Sequence, residues 1–351
     1  MVKFELPFDD KPVVCQYLTN ALCLGIVQAN AKMLGKDISP WLCSKFINCS
    51  HLNDSSVTAR FSVQVFDGDA TNDNAIRRLH YSFKPELLQK EDRLFVFIKQ
   101  QLLSGHYIMG SFNEKYIPGM RAYNRYEFEH PYILMGYKEV SNKVILRAAG
   151  FLENGYDLYD IEFNDYVKSM RMSASCQDEV AFDTFEYLDS KEYVVNYSRV
   201  IRVFEDYIIS ENNMRNENPP DEVYGLSAIR SLSLFLDEQM RKEDGYFDVR
   251  YSRGLSDSKK LTAASVKYLI DYFGLEEKEY VNMAQTVVQK AERIHLLGLK
   301  FNITKDIKLA SRISLLFDEI IDIETEYMPC FLRDLKAVKH FPKGTYIGVG
   351  A

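Results

Sequence analysis

Two side chains in this sequence could do covalent chemistry together. Cys15 heads the stretch CQYLTNALCLGIVQANAKML, in which Leu18, Leu22, Ile26 and Ala29 follow a helical stripe, so its sulfur falls at a helix N-terminus. There the positive end of the helix dipole and the unpaired backbone N–H groups favour thiolate over thiol, the form a nucleophile needs. Without that position Cys15 reads as a small buried apolar residue, as most free cysteines do. His130 opens the apolar run HPYILMGY after the polar, aromatic loop YNRYEFE. A strand end can hold an imidazole fixed yet reachable, which suits a general base. The plain alternative is a strand-end histidine bonded to backbone. His106, at the start of HYIMG, is second choice, while Cys23 lies mid-helix and Cys43, Cys49, Cys176 and Cys330 have no comparable setting.

The elements that must position these groups are mixed. Alternation in RFSVQVF (60–66) predicts a strand, Leu94–Leu103 a helix closed by Gly105, and HYIMG a short strand. Residues 129–151 read as two apolar strands joined by a Ser141-Asn142 turn, and GYDLYDIEFNDYVKSM as a strand running into a helix that Asn164 could cap. From about 178 onward strand signals fade. Helical periodicity recurs in LSAIRSLSLFLDEQM, KKLTAASVKYLIDYF, YVNMAQTVVQKAERIHLLGL and DIKLASRISLLFDEIIDIETEY, with Ile307, Ala310, Ile313, Phe317 and Ile320 on one face of the last. Between these halves the polar stretch 210–225, with its double proline, reads as a linker-like loop. The expectation is an α+β domain over 1–175 followed by an all-helical bundle over 176–351.

Bulk properties narrow the functions. A chain of 351 residues with 46% hydrophobic residues can build a real core. A net charge of −7 argues against a nucleic-acid partner, and no apolar run approaches a membrane span. The start, MVKFELPFDDK, lacks the apolar segment of a secretory leader, so a cytoplasmic protein with free thiols is expected. There is no zinc-ligand spacing and no Gly-rich phosphate loop; no metal or nucleotide cofactor is implied.

The arrangement VVCQYLTNAL, then LFVFIKQQLLSGHYIMGSFNEKYIPG, then HPYILMGYKEVSNKVILRAAGFLENGYDLYDIEF resembles the butirosin biosynthesis protein H family, and AERIHLLGLKFNITKD with its following acidic helix is similar to the second half of such proteins. These are papain-like cysteine acyltransferases, related to the closthioamide amide synthetase. The resemblance implies a papain-like N-terminal half with an antiparallel sheet, Cys15 as nucleophile and His130 as general base. It also implies an acyl carrier protein thioester as donor and a small amine as acceptor, in natural-product biosynthesis. A homo-oligomer is compatible with it.

One position departs from the pattern. The acid that should orient the imidazole falls at Ala148 or Ala149, whose side chains cannot accept a hydrogen bond. A simple antiparallel count around the Ser141-Asn142 turn puts Glu153 opposite His130, with Asn154 beside it and Asp157 a third choice. A Cys-His dyad could also suffice for an activated thioester. Otherwise the chain is a catalytically inactive papain-like binding scaffold; a cysteine peptidase or amidase is the weaker third reading. Gln16 and the Cys15 amide are candidate oxyanion donors.

Overall fold

The computed structural model describes residues 2–14, 18–45, 47–52, 60–63, 75–152, 155–189, 192–213, 220–276 and 279–348. Two compact units form, and each is discontinuous: Met1–Lys36 joins Asp69–Lys191, and Asp37–Gly68 joins Glu192–Ala351. This division differs from a single boundary after residue 175. The segment 37–68 belongs with the helices, and residues 176–191 belong with the sheet.

The first unit is built on antiparallel strands: β1 (Val2–Glu5), β4 (Ile76–Phe83), β5 (His106–Asn113), β6 (Glu129–Val140), β7 (Lys143–Leu152), β8 (Gly155–Glu162) and β9 (Val180–Tyr187). Their order is β4-β9-β5-β6-β7-β8, with β1 pairing on β6. Among the strands that escaped the sequence reading are β4, at an edge, and β9, which lies inside the sheet after strand signals had been expected to fade. The hairpin is as expected. Ser141 and Asn142 take φ of 51° and 64°, the left-handed pair that a two-residue turn needs to match the strand twist.

The hairpin register carries a correction. Val140↔Lys143 to Gly136↔Arg147 follow the simple count, but a bulge at Met135 shifts the pairing to Leu134↔Ala148 and Ile133↔Ala149. The extra residue invalidates the count that set Glu153 opposite His130. Beside the bulge, a Cβ on Gly136 would come within 2.5 Å of the Phe4 carbonyl oxygen, so a bare backbone lets β1 approach there.

Helices cover both faces. On one, α3 (Glu91–Leu103) contributes Leu94, Ile98 and Leu102, and α4 (Phe163–Arg171) contributes Tyr166, Val167 and Met170. They pack against Ile108, Phe112, Tyr132, Leu134 and Ala148 of β5, β6 and β7. Tyr132 stacks on Phe112 at 4.6 Å and shares a hydrogen bond of 2.5 Å with the Tyr166 hydroxyl, which satisfies two phenols otherwise costly to bury. Asn164 does not cap α4; Glu162 occupies that position and makes no side-chain cap. On the opposite face lies α1 (Leu18–Met33), which packs on β6, β7 and β9. Its Asn30 donates to the Tyr107 hydroxyl at 2.9 Å, and Tyr107 alternates with Ile108 along β5.

The second unit contains α2 (Ser39–Leu42), α5 (Tyr197–Ile209), α6 (Gly225–Arg241), α7 (Val249–Phe273), α8 (Tyr280–Thr304) and α9 (Lys308–Lys336). It is not all-helical: β2 (Cys49–Leu52) pairs with β3 (Arg60–Val63) and β10 (Glu222–Tyr224). The expected linker 210–225 therefore lies inside this unit and ends in a strand. At the centre, Lys259 Nζ of α7 is 2.9 Å from Glu324 Oε2 of α9 and 2.5 Å from the Tyr207 hydroxyl of α5, which itself donates to Glu324 at 2.6 Å. Lys259 and Glu324 have no exposed side-chain surface. No helix among the described residues is long and apolar enough to cross a membrane.

Candidate functional site

Cys15, Gln16, Glu153 and Asn154 lie outside the described residues, so the site is built from His130 outward. His130 pairs with Phe112 across β5 and β6. Directly paired residues share a face, so the imidazole lies on the side of Phe112 and Tyr132, beneath α3 and α4. Phe128 and Phe151 flank the ring, with centroids 5.3 Å and 5.9 Å away.

The acid missing from β7 comes from the other neighbouring strand. Glu114, immediately after β5, places Oε1 2.7 Å from His130 Nδ1. Its side chain is 3% exposed and that of His130 is 24% exposed. An ionised carboxylate only accepts, so Nδ1 carries the proton and the Nε2 lone pair is left as the basic position. No hydrogen-bond partner holds Nε2 among the described residues.

Glu114 is held from several sides. Its N–H donates to the Phe128 carbonyl at 2.8 Å, and its carbonyl accepts from Ile117 N–H at 3.1 Å. The Asn113 side chain caps this single turn by accepting from Lys115 N–H at 3.2 Å, and it donates to the Met172 carbonyl at 3.1 Å. Ser169 of α4 donates to the Asn113 carbonyl at 2.6 Å. Burial first, then the Glu114 charge, holds the Tyr159 hydroxyl well above its ordinary range, so it stays protonated beside the pair.

The other candidates are elsewhere. Ala148 and Ala149 are both fully buried, one facing the α3–α4 core and the other paired with Ile133. Asp157 is exposed and accepts from Leu158 N–H at 2.7 Å. His106 sits at the far end of β5, with Nδ1 2.8 Å from Gln101 Oε1. Burial pushes the Cys43 and Cys49 thiols up to about 12, and Cys176 is raised for the same reason, which makes all three poor nucleophiles at neutral pH. Cys176 borders a pocket of about 180 Å³ with Met109, Ser111, Pro131, Ser175 and Asp183, and His130 does not line it.

Glu114 was missed because β5 was expected to end at Gly110. The alternation continues through Ser111-Phe112-Asn113, and that longer strand is what brings Glu114 level with His130. Among the described residues no cluster of three His, Cys, Asp or Glu side chains could hold a metal ion. No protein-family model matches the chain, and no curated protein shows significant similarity to it.

Proposed function

We propose that the chain is a papain-like cysteine acyltransferase in which Cys15, His130 and Glu114 act as nucleophile, base and orienting acid. The observation that carries this reading is the 2.7 Å contact between His130 Nδ1 and the buried Glu114 carboxylate. It supplies the acid absent at Ala148 and Ala149, and it fixes the tautomer with Nε2 free to take a proton.

In the first half-reaction Cys15 gives its thiol proton to His130 Nε2, and the resulting thiolate attacks the carbonyl carbon of a carrier-protein thioester. The carbonyl π pair moves onto oxygen, where Gln16 and the Cys15 N–H are the proposed donors. Collapse breaks the C–S bond to the carrier, whose sulfur takes the proton from His130 Nε2. A small amine then attacks the acyl-enzyme, gives its proton to Nε2, and Cys15 leaves as thiolate. The product is an amide.

A second reading, a catalytically inactive binding scaffold, is favoured by a different observation. The described part of α1 packs on one face of the sheet, while His130 and Glu114 lie on the other. Intact-mass analysis after incubation with an acyl-carrier thioester separates the two. Acyl transfer requires an adduct in the wild type that is absent in Cys15→Ser; an unmodified wild-type chain leaves only the scaffold.

A further inference from the structure

The outer surface of the helical unit carries an apolar stripe that its own bundle leaves uncovered. Leu296, Leu299 and Ile303 of α8 are 64%, 41% and 84% exposed, and Ile307 just beyond the helix end is 46% exposed. Spacings of three and seven residues put the first three on one face of α8, while Ile294 and Phe301 of the same helix point into the core. A bundle helix normally presents polar side chains at such positions, and a contiguous exposed aliphatic ridge marks an interaction site.

The charge around the ridge is opposite to that of the chain. Arg293 and Lys300 stand three before and four after Leu296, which makes them its neighbours on the helix surface. With Lys305, Lys308 and Arg312 they are five basic residues from 292 to 312, against Asp306 and a Glu292 already paired with Lys260 at 2.8 Å, in a chain of net charge −7. Arg293, Lys300, Lys308 and Arg312 have no ion-pair partner among the described residues. Lys305 Nζ donates to the Gly245 carbonyl at 2.9 Å and meets no carboxylate.

From this juxtaposition we infer that the Leu296–Ile303 face of α8 docks an acidic amphipathic helix of a protein partner. The ridge takes the partner's apolar stripe at ordinary helix–helix spacing, and the flanking cations take its carboxylates. A second copy of this chain is disfavoured, because a two-fold interface would set the same five cations against themselves. An anionic bilayer is disfavoured because the chain as a whole is negative, whereas a single acidic helix covers only the patch. The inference does not depend on acyl transfer and survives if Cys15 is inert.

The test titrates the full chain into a fluorescent peptide designed as an amphipathic helix, with Glu and Asp on one face and Leu on the other. Vesicles of phosphatidylglycerol and phosphatidylcholine run in parallel. Saturable peptide binding that weakens with salt is expected, with affinity lowered about tenfold by Leu296→Ser/Ile303→Ser and by Lys300→Glu. The exposed control Leu103→Ser on α3 should bind as wild type. Equal binding by all variants overturns the inference. So does vesicle binding without peptide binding, or a loss confined to self-association.

Discussion

His130 Nδ1 and Glu114 Oε1 are 2.7 Å apart, although the carboxylate precedes the imidazole in sequence and comes from the strand opposite the one expected to provide it. Replacing Glu114 by Gln keeps an oxygen within reach but removes the charge that stabilises a protonated imidazole. If the pair acts in catalysis, Glu114→Gln should lower kcat for amide formation by roughly 10²-fold with little change in KM. His130→Ala should cost at least as much. Steady-state kinetics with a thioester donor checks this; unchanged kcat would reduce the pair to a structural contact.

The cysteines should separate sharply on alkylation. Burial holds Cys43 and Cys49 protonated up to about 12, so neither should react in the native chain at pH 8. The sign for stability follows. Above pH 9 the unfolded thiols lose protons that the folded ones keep, so unfolding free energy should fall as pH rises from 9 towards 12. Cys49→Ala should flatten that slope, as read by urea unfolding at several pH values.

His51 of β2 gives the opposite limb. It is fully buried, its Nδ1 is 2.8 Å from Ser231 Oγ, and burial lowers its pKa from 6.5 to about 4. Below pH 6.5 the unfolded ring binds a proton that the folded one refuses, so stability should decline as pH falls from 6.5 to 4. The two values put the full loss at about 3 kcal/mol. Substitution His51→Phe should remove most of this dependence in denaturant titrations.

The Lys259–Glu324–Tyr207 junction makes a stability prediction. Removing one partner strands a buried charge, so Lys259→Met should destabilise the chain by about 3–5 kcal/mol. The double variant Lys259→Met/Glu324→Leu should recover much of that loss, because it removes both charges. Equal losses in the single and double variants, measured by urea unfolding, would contradict this.

The sequence made the hairpin and the four long C-terminal helices legible, because their apolar residues repeat with period two or 3.6 and their ends carry turn residues. It hid β4, since IRRLHYSF is an exposed edge strand with charge on both faces. The discontinuous units were hidden for another reason. Segment 37–68 joins the helices through β2, which pairs locally with β3 but also with β10, far along the chain, and that second pairing leaves no local pattern. The site was half visible: His130 at its strand end could be read, whereas its acid depended on where β5 stops, and the bulge at Met135 breaks the count that points to Glu153.

The account stands on Cys15 and His130 sharing one site. Its most direct test is the alkylation rate of Cys15 as a function of pH, followed by peptide mass mapping in wild type and His130→Gln. If they form a pair, Cys15 reacts faster than the other cysteines well below pH 8, and His130→Gln moves its profile up towards that of an ordinary thiol near 8.5, to within about one unit. Identical Cys15 profiles in the two proteins would contradict the account.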